Sequence, residues 1–102
     1  MQNSTENLQQ IIKKIELCKE ELKEEYNIIS MGIFGSYARS EQKTGSDIDI
    51  VIDFSKPPGL KMVDLKDYLD QKLGLYVDIV TKNAIQRKPM LWDSISRELI
   101  NV

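Results

Sequence analysis

Residues 28–54 read IISMGIFGSYARSEQKTGSDIDIVIDF, and they contain the strongest indications of regular structure in the chain. Ile28–Phe34 is apolar and partly β-branched and ends at Gly35, which predicts a buried strand leading into a tight turn. A short helix is expected over residues 36–41. Asp47–Phe54 alternates acidic and aliphatic residues with the two-residue period of a second strand. The centre of the chain is therefore predicted to be strand, turn, short helix and strand.

The flanking segments predict helices around this centre. Residues 4–25 have apolar positions at helical spacing, with Asn3 and Glu6 as a capping pair at the start. A helix with Met62, Leu65, Leu69 and Leu73 on one side is expected to end at Gly74, a strand follows over 75–80, and Pro89 begins a last helix. This order predicts an α/β (α+β) fold, in which helices pack over a small mixed sheet of three to four strands. We expect residues 1–102 to form a single domain.

Composition narrows the chemistry that the chain can perform. It contains no histidine, which excludes an imidazole base, nucleophile or metal ligand. Cys18 is the only cysteine, so no intrachain disulfide or cysteine-based metal cluster can form. The net charge of -2 argues against binding along a nucleic acid backbone. No apolar run approaches the roughly 18 residues of a membrane span, and Met1–Thr5 lacks a signal core, so a cytoplasmic protein is expected.

Three aspartates lie in or next to apolar strand patterns. Asp47 and Asp49 are two residues apart, so their side chains are expected on one face of a strand, with backbones about 6.5 to 7 Å apart. A divalent cation would relieve the repulsion between them. Asp78 is a third acid, which could approach the pair if the two strands are neighbours. The alternatives are a solvent-facing strand for the first two, and a buried ion pair for Asp78.

The Gly35-Ser36 pair is the second chemical feature. A strand that ends in glycine and opens into a helix leaves backbone N–H groups directed at a ligand, which favours a phosphate. Glycine allows close approach of the chain, and the Ser36 hydroxyl can hydrogen-bond a phosphate oxygen without adding charge. The two features together suit a triphosphate bridged to carboxylates by metal ions.

Gly35-Ser36, the ten residues 37–46 and then Asp47-Ile48-Asp49 resemble the Gly-Ser-x10-Asp-x-Asp signature of the DNA polymerase β-like nucleotidyltransferase superfamily. Within it, Phe34–Arg39, Gly45–Asp49 and Val77–Val80 resemble the minimal nucleotidyltransferase (MNT) proteins. The similarity covers approximately residues 28–82. The nucleotidyltransferase fold is what this resemblance implies.

The resemblance also implies a role for each matching residue. Gly35 and Ser36 would bind phosphate, Asp47 and Asp49 would bind metal, and Asp78 would be the third acid, which in this superfamily can activate the attacking hydroxyl. Arg39 matches an arginine that either contacts phosphate or pairs with an acid. Many relatives have glycine where this chain has Ser40, so the chain departs from the family's pattern in the turn expected after the short helix.

The expected activity is transfer of AMP, or another nucleoside monophosphate, from ATP or another nucleoside triphosphate to a hydroxyl. Two Mg²⁺ ions are the expected cofactors, with Mn²⁺ able to replace them. The resemblance implies that the acceptor is a tyrosine of a HEPN ribonuclease toxin, for which this chain would be the antitoxin. Neutralising that toxin by binding alone, or transfer to a small molecule, are the alternatives. A homo- or hetero-oligomer is left open.

Overall fold

The computed structural model describes residues 7–102. Its elements are α1 Leu8–Leu17, α2 Lys19–Tyr26, β1 Ile28–Phe34, β2 Ile48–Phe54, α3 Lys61–Leu73, β3 Val77–Thr81, α4 Lys82–Gln86, α5 Pro89–Glu98 and β4 Ile100–Asn101. The predicted capping pair of Asn3 and Glu6 lies outside the described residues. None of the helices within 7–102 is long and apolar enough to cross a membrane.

The four strands form one mixed sheet in the order β3-β2-β1-β4. β1 is antiparallel to both β2 and β4, and β2 is parallel to β3. The predicted mixed sheet with packed helices is therefore confirmed. Because β1 runs opposite to β2 and β3, the C-terminal end of β1 lies beside the N-terminal ends of β2 and β3, at one end of the sheet.

The alternation along β2 separates the two faces of the sheet. Ile48, Ile50 and Ile52 are almost completely buried and belong to the main core, which also contains residues of α1, α2 and α3. Each buried side chain of this size contributes about 1.5 to 3 kcal/mol. The intervening Asp49 and Asp53 are half-buried. Burial of the isoleucines therefore directs the acids to the opposite face.

The single helix predicted over 4–25 is wrong in one respect, because the helix is interrupted at Cys18. Its backbone leaves the helical region (φ -112°, ψ 13°), and its N–H donates to Ile15 O at 3.1 Å. The break allows α1 to pack on α3 while α2 packs on β1. The apolar spacing continues across Cys18, so periodicity alone could not show it.

Two predicted helix boundaries are confirmed. Gly74 ends α3 in the left-handed region (φ 72°), and Pro89 is in the first turn of α5. Two short elements were not predicted. Helix α4 starts after Thr81, whose hydroxyl accepts the N–H of Ala84 at 3.2 Å, and β4 has only two residues, too few to show a period.

The short helix predicted over 36–41 is wrong, because these residues form consecutive turns. Arg39 N donates to Gly35 O at 3.1 Å, and Glu41 N donates to Ser36 O at 2.8 Å. Ser40 (φ 59°) is left-handed, which interrupts the helical conformation inside the predicted range, and Gly35 (φ 77°) is left-handed immediately before that range. Ser40 thus occupies the conformation that glycine adopts without strain.

Ser40→Gly is therefore expected to increase the free energy of unfolding by about 0.5 to 1 kcal/mol, since glycine removes the strain at positive φ but costs some entropy. Urea unfolding measures this change. The matched control is Ser94→Gly in the exposed face of α5, where glycine should destabilise the helix by a similar amount. If Ser40→Gly loses as much stability as Ser94→Gly, the prediction that Ser40 is strained is contradicted.

Candidate active site

The candidate site residues lie at the end of the sheet where β1 ends and β2 and β3 begin. Asp49 is at the centre, because it pairs with Phe34 of β1 on one side and with Asp78 of β3 on the other. Asp47 comes immediately before β2 and is exposed, as is Asp78. The two strands are neighbours, which is the condition on which Asp78 could approach the pair, and Asp78 lies opposite Asp49.

Gly35 allows the turn after β1 to lie directly against Asp49. A Cβ atom on Gly35 would overlap Oδ2 of Asp49 and would be 3.1 Å from its Cγ. The positive φ of Gly35 also suits glycine better than any other residue. The absence of a side chain therefore brings the predicted phosphate-binding turn and the predicted metal-binding carboxylate into contact.

The acids interact strongly enough to alter protonation. Burial, followed by the negative charges of Asp78 and Asp47, raises the pKa of Asp49 to about 6, while Arg39 opposes the shift. A hydrogen bond between Asp49 and Asp78 also contributes. A proton thus stabilises the pair at mildly acidic pH, below about 6.

A divalent cation could replace that proton, because it relieves the same repulsion. Within residues 7–102, no group of three or more acidic or cysteine side chains is already arranged to hold a metal ion. Binding by all three aspartates would therefore need side-chain rotation, for which the exposure of Asp47 and Asp78 leaves room. The donors fit the hard oxygen ligands that Mg²⁺ and Mn²⁺ prefer.

The raised pKa of Asp49 predicts a pH effect on the metal-free protein. The folded state holds this proton more tightly than the unfolded state, so the stability that it contributes is present below about pH 4 and is lost as the pH rises through about 6. In EDTA, the free energy of unfolding of the wild type minus that of Asp49→Asn should fall across this window. Mn²⁺ should restore it at pH 7 to 8.

Urea unfolding at a series of pH values, with and without Mn²⁺, measures this difference. Asp53→Asn, four residues further along β2, is the matched control and should retain the wild-type pH dependence. A difference between the wild type and Asp49→Asn that stays constant from pH 4 to 7 would contradict the prediction.

Arg39 forms ion pairs in the structure. Its Nη1 donates to Glu98 Oε1 at 2.9 Å, and its Nε donates to Glu41 Oε1 at 3.0 Å. Of the two roles that the sequence left open, pairing with acids is therefore present. The guanidinium is still about half exposed, with 46% of the side chain accessible, so a phosphate can also reach it.

One N–H group of the Gly35-Ser36 turn is already used. Gly35 N donates to Glu98 Oε2 at 2.7 Å. Within 7–102, the N–H and hydroxyl of Ser36 have no recorded partner, and they are the donors left for a ligand. Sequence reasoning missed Glu98, because no local pattern links it to a residue 63 positions earlier.

A cavity of about 450 Å³ adjoins this end of the sheet. It is lined by Tyr37, Gly45, Ser46, Asp70, Gly74, Leu75 and Tyr76. Asp70 is fixed in its wall, since it accepts Val77 N at 2.8 Å and pairs with Lys66 at 2.8 Å. The lining comes from the same loops that carry the site, but it is mainly on the α3 side of the sheet.

The chain is similar to a known domain family and to named relatives. The sequence profile of the Nucleotidyltransferase domain family matches residues 15–102. A Methanocaldococcus jannaschii protein named provisionally as a protein adenylyltransferase is 49% identical over 85 residues, which cover 82% of this chain and 86% of that protein. The protein adenylyltransferase MntA of Thermococcus cleftensis is 41% identical over 85 residues, covering 82% and 84%.

Solved structures share the fold. One that is named provisionally as a minimal nucleotidyltransferase is 29% identical, with a TM-score of 0.78 over 96% of this chain and 98% of its own. A mutant MntA–HpeT toxin–antitoxin structure has a TM-score of 0.68 at 20% identity, covering 89% of this chain and 70% of that chain. The latter similarity shows the fold alone.

Proposed function

The chain belongs to the Nucleotidyltransferase domain family, and we propose that it is a protein adenylyltransferase that transfers AMP from ATP to a hydroxyl and releases pyrophosphate. The observation that carries this proposal is the position of Asp49, in contact range of the Gly35 turn and beside Asp78. A triphosphate on the turn would place its reacting phosphorus next to the carboxylates.

Asp47 and Asp49, with Asp78, would hold two Mg²⁺ ions, which Mn²⁺ could replace. When bound, the metal ions would neutralise phosphate charge and lower the pKa of the acceptor hydroxyl. Asp49, half-buried between Gly35 and Asp78, would orient the α-phosphate. Asp47 is exposed at the start of β2, so it can reach the ligand from the solvent side.

Asp78 would accept the proton of the attacking hydroxyl. It is exposed on β3 at the edge of the sheet, which leaves it accessible to an acceptor from another molecule. A base must lie within hydrogen-bonding reach of the proton that it takes. Because Asp78 is the β3 register partner of Asp49, it would lie beside the phosphorus that is attacked.

Ser36 and Arg39 would bind the β- and γ-phosphates, so that pyrophosphate leaves in line with the attack. The Ser36 N–H and hydroxyl would donate hydrogen bonds, and the half-exposed Arg39 guanidinium would add positive charge. Gly35 would contribute by close approach, because its N–H is bound to Glu98.

The acceptor that we propose is a tyrosine of a HEPN-family toxin, which this chain would inactivate as its antitoxin in the cytoplasm, where ATP is available. Support comes from the MntA relative named as a protein adenylyltransferase, and from MntA in a toxin–antitoxin structure with HpeT. A second toxin–antitoxin structure contains AMP-PNP. The exposure of Asp78, the proposed base, is compatible with a protein acceptor.

The experiment is incubation of the full chain with Mg²⁺ and the product of the neighbouring gene, using ATP labelled either at the α- or at the γ-phosphate. The α label should appear on a tyrosine of the partner, and the γ label should appear in pyrophosphate. The variant Asp47→Asn plus Asp49→Asn should neither label the partner from the α position nor release labelled pyrophosphate. If the partner is inhibited without labelling, and this variant inhibits it equally, binding alone explains the function and the transfer proposal fails.

A further inference from the structure

Glu98, the last residue of α5, holds two parts of the candidate triphosphate site at once. One carboxylate oxygen accepts the Gly35 N–H at 2.7 Å, and the other accepts Arg39 Nη1 at 2.9 Å. The side chain is 21% exposed, so these bonds are partly shielded from water. No other described acid joins the turn and the arginine in this way.

The direction of the Gly35 N–H shows from which side Glu98 approaches. Met31 O accepts Val102 N, so the backbone groups of Met31 face the β4 edge of β1. Backbone groups alternate along a strand, and Gly35 is four residues further on, so its N–H faces the same edge. The Cα of Gly35, in contrast, is packed against Asp49. Glu98 therefore supports the turn from the edge opposite β2, without occupying the space between the turn and the metal-binding acids.

The charge of Glu98 also stabilises its contacts with Gly35 and Arg39. Burial alone would raise the pKa of Glu98, but the Gly35 N–H and the Arg39 guanidinium together hold that pKa below its ordinary value. The carboxylate is thus ionised at neutral pH. Hydrogen bonds in which at least one group is ionised are shorter and stronger than neutral ones, and Glu98 makes two of them, one to the neutral Gly35 N–H and one to the charged Arg39.

We propose that Glu98 is a positioning residue for nucleotide binding, which fixes the Gly35-Ser36 turn and orients Arg39 toward the phosphates. This inference rests on the proposed function. Glu98 would act through Gly35 and Arg39, since its own negative charge would repel a triphosphate. Its location predicts a selective defect: loss of Glu98 should weaken nucleotide binding while leaving the carboxylate site able to bind metal.

The test measures binding of α,β-methylene-ATP with Mg²⁺ by calorimetry, because this analogue cannot release pyrophosphate and binding is then separated from transfer. Glu98→Gln should increase its dissociation constant about tenfold, since one acceptor of the ionised pair is lost. Glu98→Ala should have at least as large an effect. Binding of Mn²⁺ without nucleotide should remain unchanged in both variants.

Asp93→Asn is the matched control, because it removes an acid of the same helix whose ion pair among residues 7–102 is with the exposed Arg97. It should bind the analogue as the wild type does. Three results would overturn the proposal: an unchanged dissociation constant in Glu98→Gln, an equal loss of nucleotide and Mn²⁺ binding, or no binding of the analogue by the wild type. A wild type that binds the analogue but labels no partner would refute the proposed acceptor and leave this test valid.

Discussion

Replacing Asp49 with asparagine is expected to reduce adenylyl transfer by about 10³-fold or more, which is the usual scale for loss of a residue that acts only as part of a catalytic unit. Asp49 contacts the Gly35 turn and Asp78 in the structure, so no other described carboxylate can take its place. Asparagine retains the shape but cannot neutralise a metal ion. Initial rates with labelled ATP and Mg²⁺ measure the loss.

The same substitution should stabilise the metal-free protein at pH 8, by on the order of 1 kcal/mol, because it removes the repulsion that raises the pKa of Asp49. Function and stability are thus expected to change in opposite directions, which a damaged fold would not produce. Asp53→Asn on the same strand is the control and should change neither quantity appreciably. An inactive variant that is also less stable would contradict this explanation.

Gly35→Ala is expected to have the second-largest effect, with a loss of about 2 to 4 kcal/mol of stability from strain and overlap together. The added methyl group would occupy the position of Asp49 Oδ2, in a backbone conformation (φ 77°) that alanine adopts poorly. Asp49 would have to move away, so Mn²⁺ affinity and transfer should both fall. Urea unfolding, calorimetry and the labelling assay measure the three changes.

Gly59→Ala separates the two causes. Gly59 also has a positive φ (59°), but a Cβ there would meet nothing within 4 Å. It should therefore show the backbone strain alone, and its Mn²⁺ affinity should not change. In the background of Asp49→Ala, the cost of Gly35→Ala should shrink to that of Gly59→Ala. Equal costs for Gly35→Ala and Gly59→Ala in the wild-type background would show that the contact with Asp49 is unimportant.

Much of the fold could be predicted because its signals are local. The apolar run that forms β1, the acid and aliphatic alternation of β2, Gly74 at the end of α3 and Pro89 at the start of α5 all follow from side-chain period or backbone freedom. The break at Cys18 could not be predicted, because the apolar spacing continues through it. The turns after Gly35 were mistaken for a helix because Ser40 does not show its left-handed conformation in its residue type.

The sequence by itself determined the residue types of the candidate site: a glycine and a serine after one strand, two acids at the start of the next, and no histidine to compete with them. These are properties of neighbouring residues. Only the tertiary structure decided that β3 lies beside β2, which brings Asp78 to Asp49, and that α5 ends at the β4 edge, which brings Glu98 to Gly35 and Arg39. The physical reason is that strand order and helix docking depend on burial over the whole chain, and no local pattern encodes which distant residue completes a hydrogen bond.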